Sequence, residues 1–542
     1  MPQPPKIRPP FAWLGQHTEK VALIMTVVIG AVFRFLHLAS IPPGLYNTTA
    51  TIGLQALALI HHGRWPGFNA GSNYAPLWVV LQALPVKLLG PTLLALRLWP
   101  AVLGTLAVAT TWLWARAWFG LRVAWMSALL MAVTPWAVTL TRDGSSVALV
   151  PFLVTLTLWL ATLLWHRPHL GQSVALALAL LLDLLAGPLG WTIAVTVATM
   201  GLVQGLKEHK LKLKNRAYAT LAVILAAGIA VCGALAATSH QALRQLPQAL
   251  GLVANPMTLG ANLLKVLVML NVSGDQNFRH NLAGEPMLNA FVGLALVAGL
   301  LVGISRLHER RYRLLFAILG ATLIPAVVST TGVPNAAHAA ALMPGILVLA
   351  AIGASYLLEL WYATFPINSA ARTAGQAAIL VLLALTVFQG YTQYFRAWAA
   401  SAEVYAAYDE DAVAMAVYLK TTPFNGARYV VAPAEQVPVV AYLDYGRAPW
   451  KTATPAAITS LPATGTQEFL IAAASKSAAT KTLQAKFPGQ LGSRQPIIHR
   501  ADLGDKGTFY RALVGPFASS EAAAAMCSNL KAAGGSCIVQ KN

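Results

Sequence analysis

The sequence predicts a polytopic α-helical membrane protein of about eleven transmembrane helices, followed by a small soluble α+β domain at its C-terminal end. Three observations carry this. Hydrophobic residues make up 57% of the 542-residue chain and charged residues only 10%, where a soluble domain carries roughly a quarter. Apolar runs of about 18 residues or more, enough to cross a hydrocarbon core, recur through residues 1–393. After Tyr394 the runs shrink to strand length and Pro, Gly and Thr punctuate the chain. Because several spans recur, the first is not a cleaved secretory signal.

The first span is expected from about Val21 to Leu38. Lys6, Arg8 and Lys20 precede it, so the N-terminus is expected in the cytoplasm. Residues 39–91 form an outer loop with two pieces too short to cross, Thr49–His61 and Leu77–Leu89, expected as interfacial helices. Further spans fall near 93–113, 123–140, 146–164, 173–189, 190–206, 218–236, 287–304, 313–330, 338–358 and 374–392. The pair meeting at Gly187-Pro188-Leu189-Gly190 is the least sharply divided. A second outer loop, 237–286, is interrupted by Pro256 and by Gly274-Asp275, and a loop of that length between spans is more often functional than a plain connection. An odd number of crossings puts residues 394–542 outside, as a connecting region (394–465) and a terminal domain (466–542).

The formal net charge of +20 suggests an acidic partner only if its distribution is ignored. Arg116 and Arg122, Arg167, Lys207 to Arg216, Arg306 to Arg313 and Arg372 all fall in connections on one side of the predicted spans, as cytoplasmic retention of Lys and Arg requires. Membrane lipid accounts for this charge and nucleic acid is not an expected partner. The chain has 3 cysteines, too few for a cysteine-rich metal site. Cys232 lies in an apolar run and reads as a small buried hydrophobe.

From Glu468 the order reads strand (469–473), helix (476–486), strand (496–501), strand (509–514), helix (520–533) and strand (537–540). In this βαββαβ pattern two helices cover one face of a sheet and leave the other for a ligand. Cys527 on the second helix and Cys537 on the last strand meet if those elements pack face to face, so a disulfide is expected outside the cytoplasm. The run Tyr510-Arg511-Ala512-Leu513-Val514-Gly515-Pro516-Phe517, then Ser519-Ser520-Glu521-Ala522 and Leu530-Lys531-Ala532-Ala533-Gly534, resembles a SPOR domain. In the first half, Ala472-Ala473-Ala474 stands where such domains carry a glutamine and an aromatic. The resemblance implies a peptidoglycan partner, glycan strands bare of peptide stems, with Tyr510, Arg511 and Phe517 as contacts.

The membrane region carries its own pattern. Arg34-Phe35-Leu36 leads to Pro42-Pro43-Gly44-Leu45-Tyr46-Asn47-Thr48-Thr49; Leu96-Arg97-Leu98 opens the next span. Ser127–Trp136 ends in Pro-Trp, and Thr141-Arg142 forms an outer turn. The long loop holds Gly274-Asp275-Gln276-Asn277-Phe278-Arg279-His280-Asn281 and Gly284-Glu285-Pro286. Tyr394-Phe395 and Val404-Tyr405 follow the last span. Together these resemble bacterial GT-C glycosyltransferases similar to dolichyl-phosphate-mannose protein mannosyltransferases and lipid A aminoarabinose transferases, over roughly residues 20–430. The resemblance implies an inner-membrane enzyme that takes a sugar from a polyprenyl-phosphate donor and passes it to a periplasmic acceptor. It leaves room for a divalent metal, though no ligand cluster in the sequence demands one.

Two positions depart from that pattern. The family's Asp-Glu pair is Thr48-Thr49 here, and a threonine hydroxyl cannot act as general base near neutral pH. Pro334-Asn335-Ala336-Ala337-His338 places a histidine where relatives carry arginine. Asp143 and Asp275 are the replacement carboxylates; the plainer reading has Asp143 capping a span and Asp275 pairing with Arg279. Asp183 lies inside an apolar run, where a carboxylate normally has a partner or a role. Arg34, Arg97, Arg142, Arg279, His280, Asn281 and His338 are candidate substrate contacts, with Arg34 also placed to snorkel to headgroups. Two functions follow. One is an active transferase with a relocated base. The other is a catalytically degenerate GT-C scaffold that binds a lipid-linked sugar or a protein partner. A transporter fits less well, because no repeated halves are visible.

Overall fold

A computed structural model describes residues 12–65, 76–186, 188–207, 218–227, 256–329, 332–422, 427–446, 449–453, 467–471, 497–502, 508–513 and 520–532. The chain divides into two compact units. The first comprises Met1–Ile41, Trp65–Leu81 and Arg97–Ser401, and the second Pro42–Arg64, Gln82–Leu96 and Ala402–Asn542.

Along the chain run α1 (Ala12–Phe35), α2 (Asn47–His62), α3 (Pro76–Leu89), α4 (Leu93–Phe119), α5 (Leu121–Val133), α6 (Pro135–Leu140), α7 (Leu149–His166), α8 (Leu170–Leu185) and α9 (Pro188–Lys207). Then come α10 (Tyr218–Ala227), α11 (Pro256–Asn271), α12 (Ala290–Ser305), α13 (Arg310–Val328), α14 (Met343–Thr364) and α15 (Ser369–Tyr391), which continues as a π-helical turn, Thr392–Trp398. Among the described residues, 5 helical stretches are long and apolar enough to cross a membrane: Leu93–Phe119, Ser146–His166, Arg310–Val328, Met343–Thr364 and Ser369–Trp398. Shorter apolar helices, including α5, α8, α11 and α12, accompany them.

In the first unit α14 is the central helix. Every residue from Met343 to Ser355 is buried, whereas α15 buries only Gly375, Leu383, Thr386 and Gly390 and turns the rest of its surface outward. Without a hydrophobic driving force between helices in lipid, close packing relies on small residues. Gly299 of α12 and Gly353 of α14 supply it: a Cβ on Gly353 would stand 1.9 Å from the Ala295 carbonyl oxygen, and one on Gly299 1.9 Å from that of Leu349.

The spans differ from expectation where turn chemistry intervenes. The stretch expected as one span over 123–140 breaks at Thr134, because Pro135 has no N–H to continue the ladder and biases the residue before it away from helix. The span expected from 338 starts at Met343, since Asn335 accepts from the Ala337 and His338 N–H groups and holds 332–342 as turns. Within the loop expected over 237–286, α11 runs from Pro256 to Asn271, between the two breaks read from the sequence. The later part of the span expected over 218–236, with Cys232, and the basic segment 208–217 lie outside the described residues.

In the second unit, α2 packs on α18 (Val437–Leu443) after α16 (Ala402–Ala407) and α17 (Glu410–Thr421). Gly53 permits that approach, since a Cβ there would meet the Tyr442 ring at 2.5 Å. The Tyr442 hydroxyl, whose pKa burial pushes up, donates to the Thr92 carbonyl at 3.2 Å. Strands β1 (Ala427–Val431), β2 (Trp450–Thr452) and β3 (Gln467–Ile471) form a parallel sheet in the order β2-β1-β3. Strands β4 (Ile497–Asp502) and β5 (Thr508–Leu513) form an antiparallel pair, and α19 (Ser520–Ala532) follows. The first strand expected for the terminal domain therefore pairs with β1 of the connecting region, so the sheet runs across the boundary expected at 465. A parallel pair needs a crossover of a dozen residues or more, which the segment between β1 and β3 supplies.

Candidate functional site

Three of the expected substrate contacts are buried inside the first unit, with their guanidinium groups turned on the backbone. Arg34 is fully buried on α1. It donates to the Met131 carbonyl at 3.0 Å and, through Nη1, to the Ala132 carbonyl at 3.0 Å. These are the carbonyls that the break at Thr134-Pro135 leaves over. Arg142, after α6, donates to the Phe33, Leu36 and Ile41 carbonyls at 2.7, 2.7 and 3.0 Å, closing the end of α1. Its guanidinium also lies 5.2 Å from the centroids of both Tyr394 and Phe395. Arg97 of α4 donates to the Leu38 and Ala39 carbonyls at 3.1 and 3.2 Å. Arginine suits this work because its planar fork reaches several acceptors while remaining charged.

Beside these clamps, two loops meet on Asp275, which is 2% exposed. Its Oδ1 accepts from the Asn277 N–H at 2.8 Å. Its Oδ2 accepts from His280 Nδ1 and from the Ala336 N–H, each at 2.8 Å. The Ala336 carbonyl accepts from Trp136 Nε1 at 3.0 Å, so this peptide unit is fixed on both sides. The carboxylate accepts, so the His280 proton sits on Nδ1 and Nε2 is the atom left to take another. His338 stands close enough for His280 to repel its charge; burial first, then that repulsion, holds its pKa below the usual histidine value, against a smaller raising effect of Asp275.

Asp143 and Asp275 both hold loops, Asp275 through donors other than the Arg279 expected for it. Asp143 Oδ1 accepts from the Ser145 N–H at 2.9 Å. Its Oδ2 lies 3.8 Å from Arg279, the residue expected to pair with Asp275. Arg279 retains partial side-chain exposure, 16%. Asn281 donates through Nδ2 to the Glu285 carbonyl and shapes the turn at Gly274. Trp398 Nε1 donates to the Phe278 carbonyl at 2.8 Å, tying the same loop to the end of α15. The site therefore gathers Asp143, Asp275, Arg279, His280, Asn281 and His338 on three loops. Among the described residues no group of three or more His, Cys, Asp or Glu side chains is placed to hold a metal ion.

The arrangement of this chain is similar to that of solved membrane transferases. The apo oligosaccharyltransferase of Archaeoglobus fulgidus superposes with a TM-score of 0.50 at 16% identity, covering 82% of this chain and 65% of that one. The membrane region has the GT-C fold. The same archaeal enzyme, AglB, in complex with an inhibitory peptide and a dolichol-phosphate, gives a TM-score of 0.48 at 14% identity, over 80% of this chain and 64% of that one. ArnT from Cupriavidus metallidurans bound to undecaprenyl phosphate gives 0.44 at 14% identity, over 80% and 85%. The chain thus spans just under two thirds of the length of the oligosaccharyltransferase it matches, 64–65%. No curated protein matches the chain by sequence. Residues 469–541 match the SPOR domain family.

Thr48 and Thr49 lie in the first turn of α2, in the second unit, where Thr49 is 1% exposed and its hydroxyl has no hydrogen-bond partner. Asp183 of α8 is 1% exposed and accepts from the Thr157 hydroxyl at 2.8 Å, which gives the intramembrane carboxylate a partner the sequence could not name. In the SPOR domain, β5 places Tyr510 opposite Arg500 and Arg511 opposite His499. Phe517 and Cys537 lie outside the described residues, while Cys527 on α19 is disulfide-bonded. Trp136 and Ala336 enter the sequence reading only as members of motifs; their part in fixing Asp275 depends on backbone and indole contacts between distant segments, which no residue type announces.

Proposed function

We propose that the protein transfers a sugar from a polyprenyl-phosphate donor to an acceptor hydroxyl on the periplasmic side of the inner membrane, and that its SPOR domain holds it to peptidoglycan glycan strands. The observation that carries the transfer reading is the Asp275–His280 pair. A histidine oriented through Nδ1 by a buried carboxylate presents Nε2 as a general base. In this scheme Nε2 takes the acceptor O–H proton, the oxygen attacks the anomeric carbon, and the bond from that carbon to the phosphate oxygen breaks, releasing polyprenyl phosphate. Arg279, partly exposed beside Asp143, supplies positive charge for the departing phosphate. No step needs a metal, and none is routed through one.

A second reading has an observation of its own. Thr48 and Thr49 occupy the acidic positions of similar proteins, and Asp143 and Asp275 are both engaged with loop donors. That combination favours a degenerate scaffold that binds the lipid-linked sugar without turning it over.

One experiment separates the two. The full chain, reconstituted in nanodiscs with a panel of polyprenyl-phosphate sugars, is assayed for release of polyprenyl phosphate and for donor binding. Transfer by His280 predicts turnover that falls about 100-fold or more in His280→Gln, with donor binding retained. Donor binding without turnover in the unmodified chain would establish the scaffold instead. Sedimentation with sacculi stripped of stem peptides tests the wall anchor: retention of the full chain supports it, and passage into the supernatant contradicts it.

A further inference from the structure

Helix α15 does not end as it began. It continues through Thr392–Trp398 as a π-helical turn, in which the Ala399 N–H donates to the Tyr394 carbonyl at 3.1 Å. Single π turns inside helices are rare and occur often at functional sites. This one buries Tyr394, Phe395 and Trp398 and stacks the rings of Tyr394 and Trp398, with centroids 4.9 Å apart and planes at 16°. Trp398 is 2% exposed. Its indole N–H, a donor with no acceptor capacity, points at the Phe278 carbonyl at 2.8 Å.

That carbonyl belongs to the peptide unit leading into Arg279. The N–H of the same unit donates to Asn277 Oδ1 at 3.0 Å, so both polar ends of the plane are held and the Arg279 side chain leaves the loop from a fixed base. Its guanidinium then lies 3.8 Å from Asp143 Oδ2, and Arg142, next to Asp143, stands 5.2 Å from the Tyr394 ring centroid. The contacts close into a circuit from Trp398 through Arg279 and the 142–143 turn to Tyr394. The rest of the loop is held without the indole: the Gly274 N–H donates to the Gly284 carbonyl at 3.1 Å and the Gly284 N–H to the Asp275 carbonyl at 3.2 Å, and the donors on Asp275 come from Asn277, His280 and Ala336. Trp398 therefore fixes one peptide rather than the whole loop, and that peptide precedes the arginine assigned to the phosphate.

We propose that Trp398 is a positioning residue, whose indole N–H sets the direction in which Arg279 presents its guanidinium to a lipid-linked phosphate. The inference rests on Arg279 as the phosphate contact, and it holds whether the bound donor is turned over or only held. A guanidinium recognises phosphate through a planar fork of N–H groups, so its direction matters as well as its charge. Rotation of the peptide at its base turns the fork away from the phosphate oxygens while the bonds listed for Asp275 stay in place. Phenylalanine at position 398 keeps an aromatic ring beside Tyr394 and loses only the donor.

The test measures binding of undecaprenyl phosphate to the full chain in nanodiscs, with undecaprenol, which has the same chain and no phosphate, as the control. Trp398→Phe is expected to weaken undecaprenyl phosphate binding about fivefold, the scale of one hydrogen bond, and to leave undecaprenol binding unchanged. Asn277→Ala, which releases the other end of the same peptide, should do the same. Neither substitution should weaken binding further once Arg279→Gln is present, because residues acting through one another are not additive; a role confined to folding would lower binding by the same factor in both backgrounds. Circular dichroism and a monodisperse elution profile check that each variant folds. Unchanged undecaprenyl phosphate binding in either variant, equal weakening of the two lipids, or an undiminished loss in the Arg279→Gln background would each overturn the positioning role while leaving Arg279 its phosphate. Full undecaprenyl phosphate binding in Arg279→Gln alone would instead remove the phosphate contact itself, and the positioning role with it.

Discussion

Arg34 donates to the carbonyl oxygen of Met131, the acceptor that Pro135, four residues on and without an N–H, cannot serve. The break between α5 and α6 is therefore completed by a side chain from α1. Removing the guanidinium would strand this carbonyl and that of Ala132 in a dry interior, at about 1–3 kcal/mol for each unsatisfied group. Arg34→Met is expected to lower the melting temperature of the detergent-solubilised chain by several degrees. A variant that melts with the unmodified protein would show that the break holds without the clamp.

The same residue shows what the sequence made legible and what it hid. Hydropathy located the helices, because lipid imposes span length and apolarity directly on composition. The loops bearing Asp143 and Asp275 were legible as motifs. The work of Arg34, Arg97 and Arg142 was not, since a buried arginine on a carbonyl and an exposed one on a phosphate read alike in sequence. Nor was the exchange of partners between Asp143, Asp275, Arg279 and His280, which depends on how the 274–286 loop folds back. The β1–β3 pairing was equally hidden: register between distant strands is set by tertiary packing, and neither strand's composition names its neighbour.

Close approach of α12 and α14 gives a sharper stability test. Gly353 faces the Ala295 carbonyl so closely that any side chain must part the two helices. Gly353→Leu is expected to cost about 1–3 kcal/mol or more as overpacking. Gly320→Leu on α13, where a Cβ meets nothing within 4 Å, serves as the matched control. Thermal denaturation followed by tryptophan fluorescence should separate the two; identical melting curves would contradict the packing described for Gly353.

His338 predicts a dependence on pH. Burial and the neighbouring His280 depress its pKa in the folded chain below the ordinary 6.5, so the unfolded chain binds its proton first as pH falls. The sign follows from linkage: stability is fully present above about 6.5 and is lost as pH falls from there through the depressed folded value. His338→Gln should flatten part of this acid-side loss while leaving stability at pH 8 little changed. Melting curves between pH 8 and pH 5 provide the check, and an unaltered slope in the variant would exclude His338 as its source.

Asp275 and Asp143 differ in how much depends on each, and matched amide substitutions expose the difference. Asp275 accepts from three donors on two loops, and an asparagine must turn its NH₂ toward at least one of them. Donor then faces donor, a cost of about 1–3 kcal/mol, and His280 loses the group that orients its ring. Asp143 accepts from one backbone N–H and faces Arg279 at 3.8 Å; asparagine can keep the backbone bond through its carbonyl oxygen. Asp275→Asn should therefore lower both stability and any turnover, whereas Asp143→Asn should leave the fold nearly intact and weaken only the hold on Arg279. Hydrogen exchange at 274–286 measures the first effect directly: faster exchange there in Asp275→Asn but not in Asp143→Asn is the expected outcome, and the reverse order would move the organising role from Asp275 to Asp143.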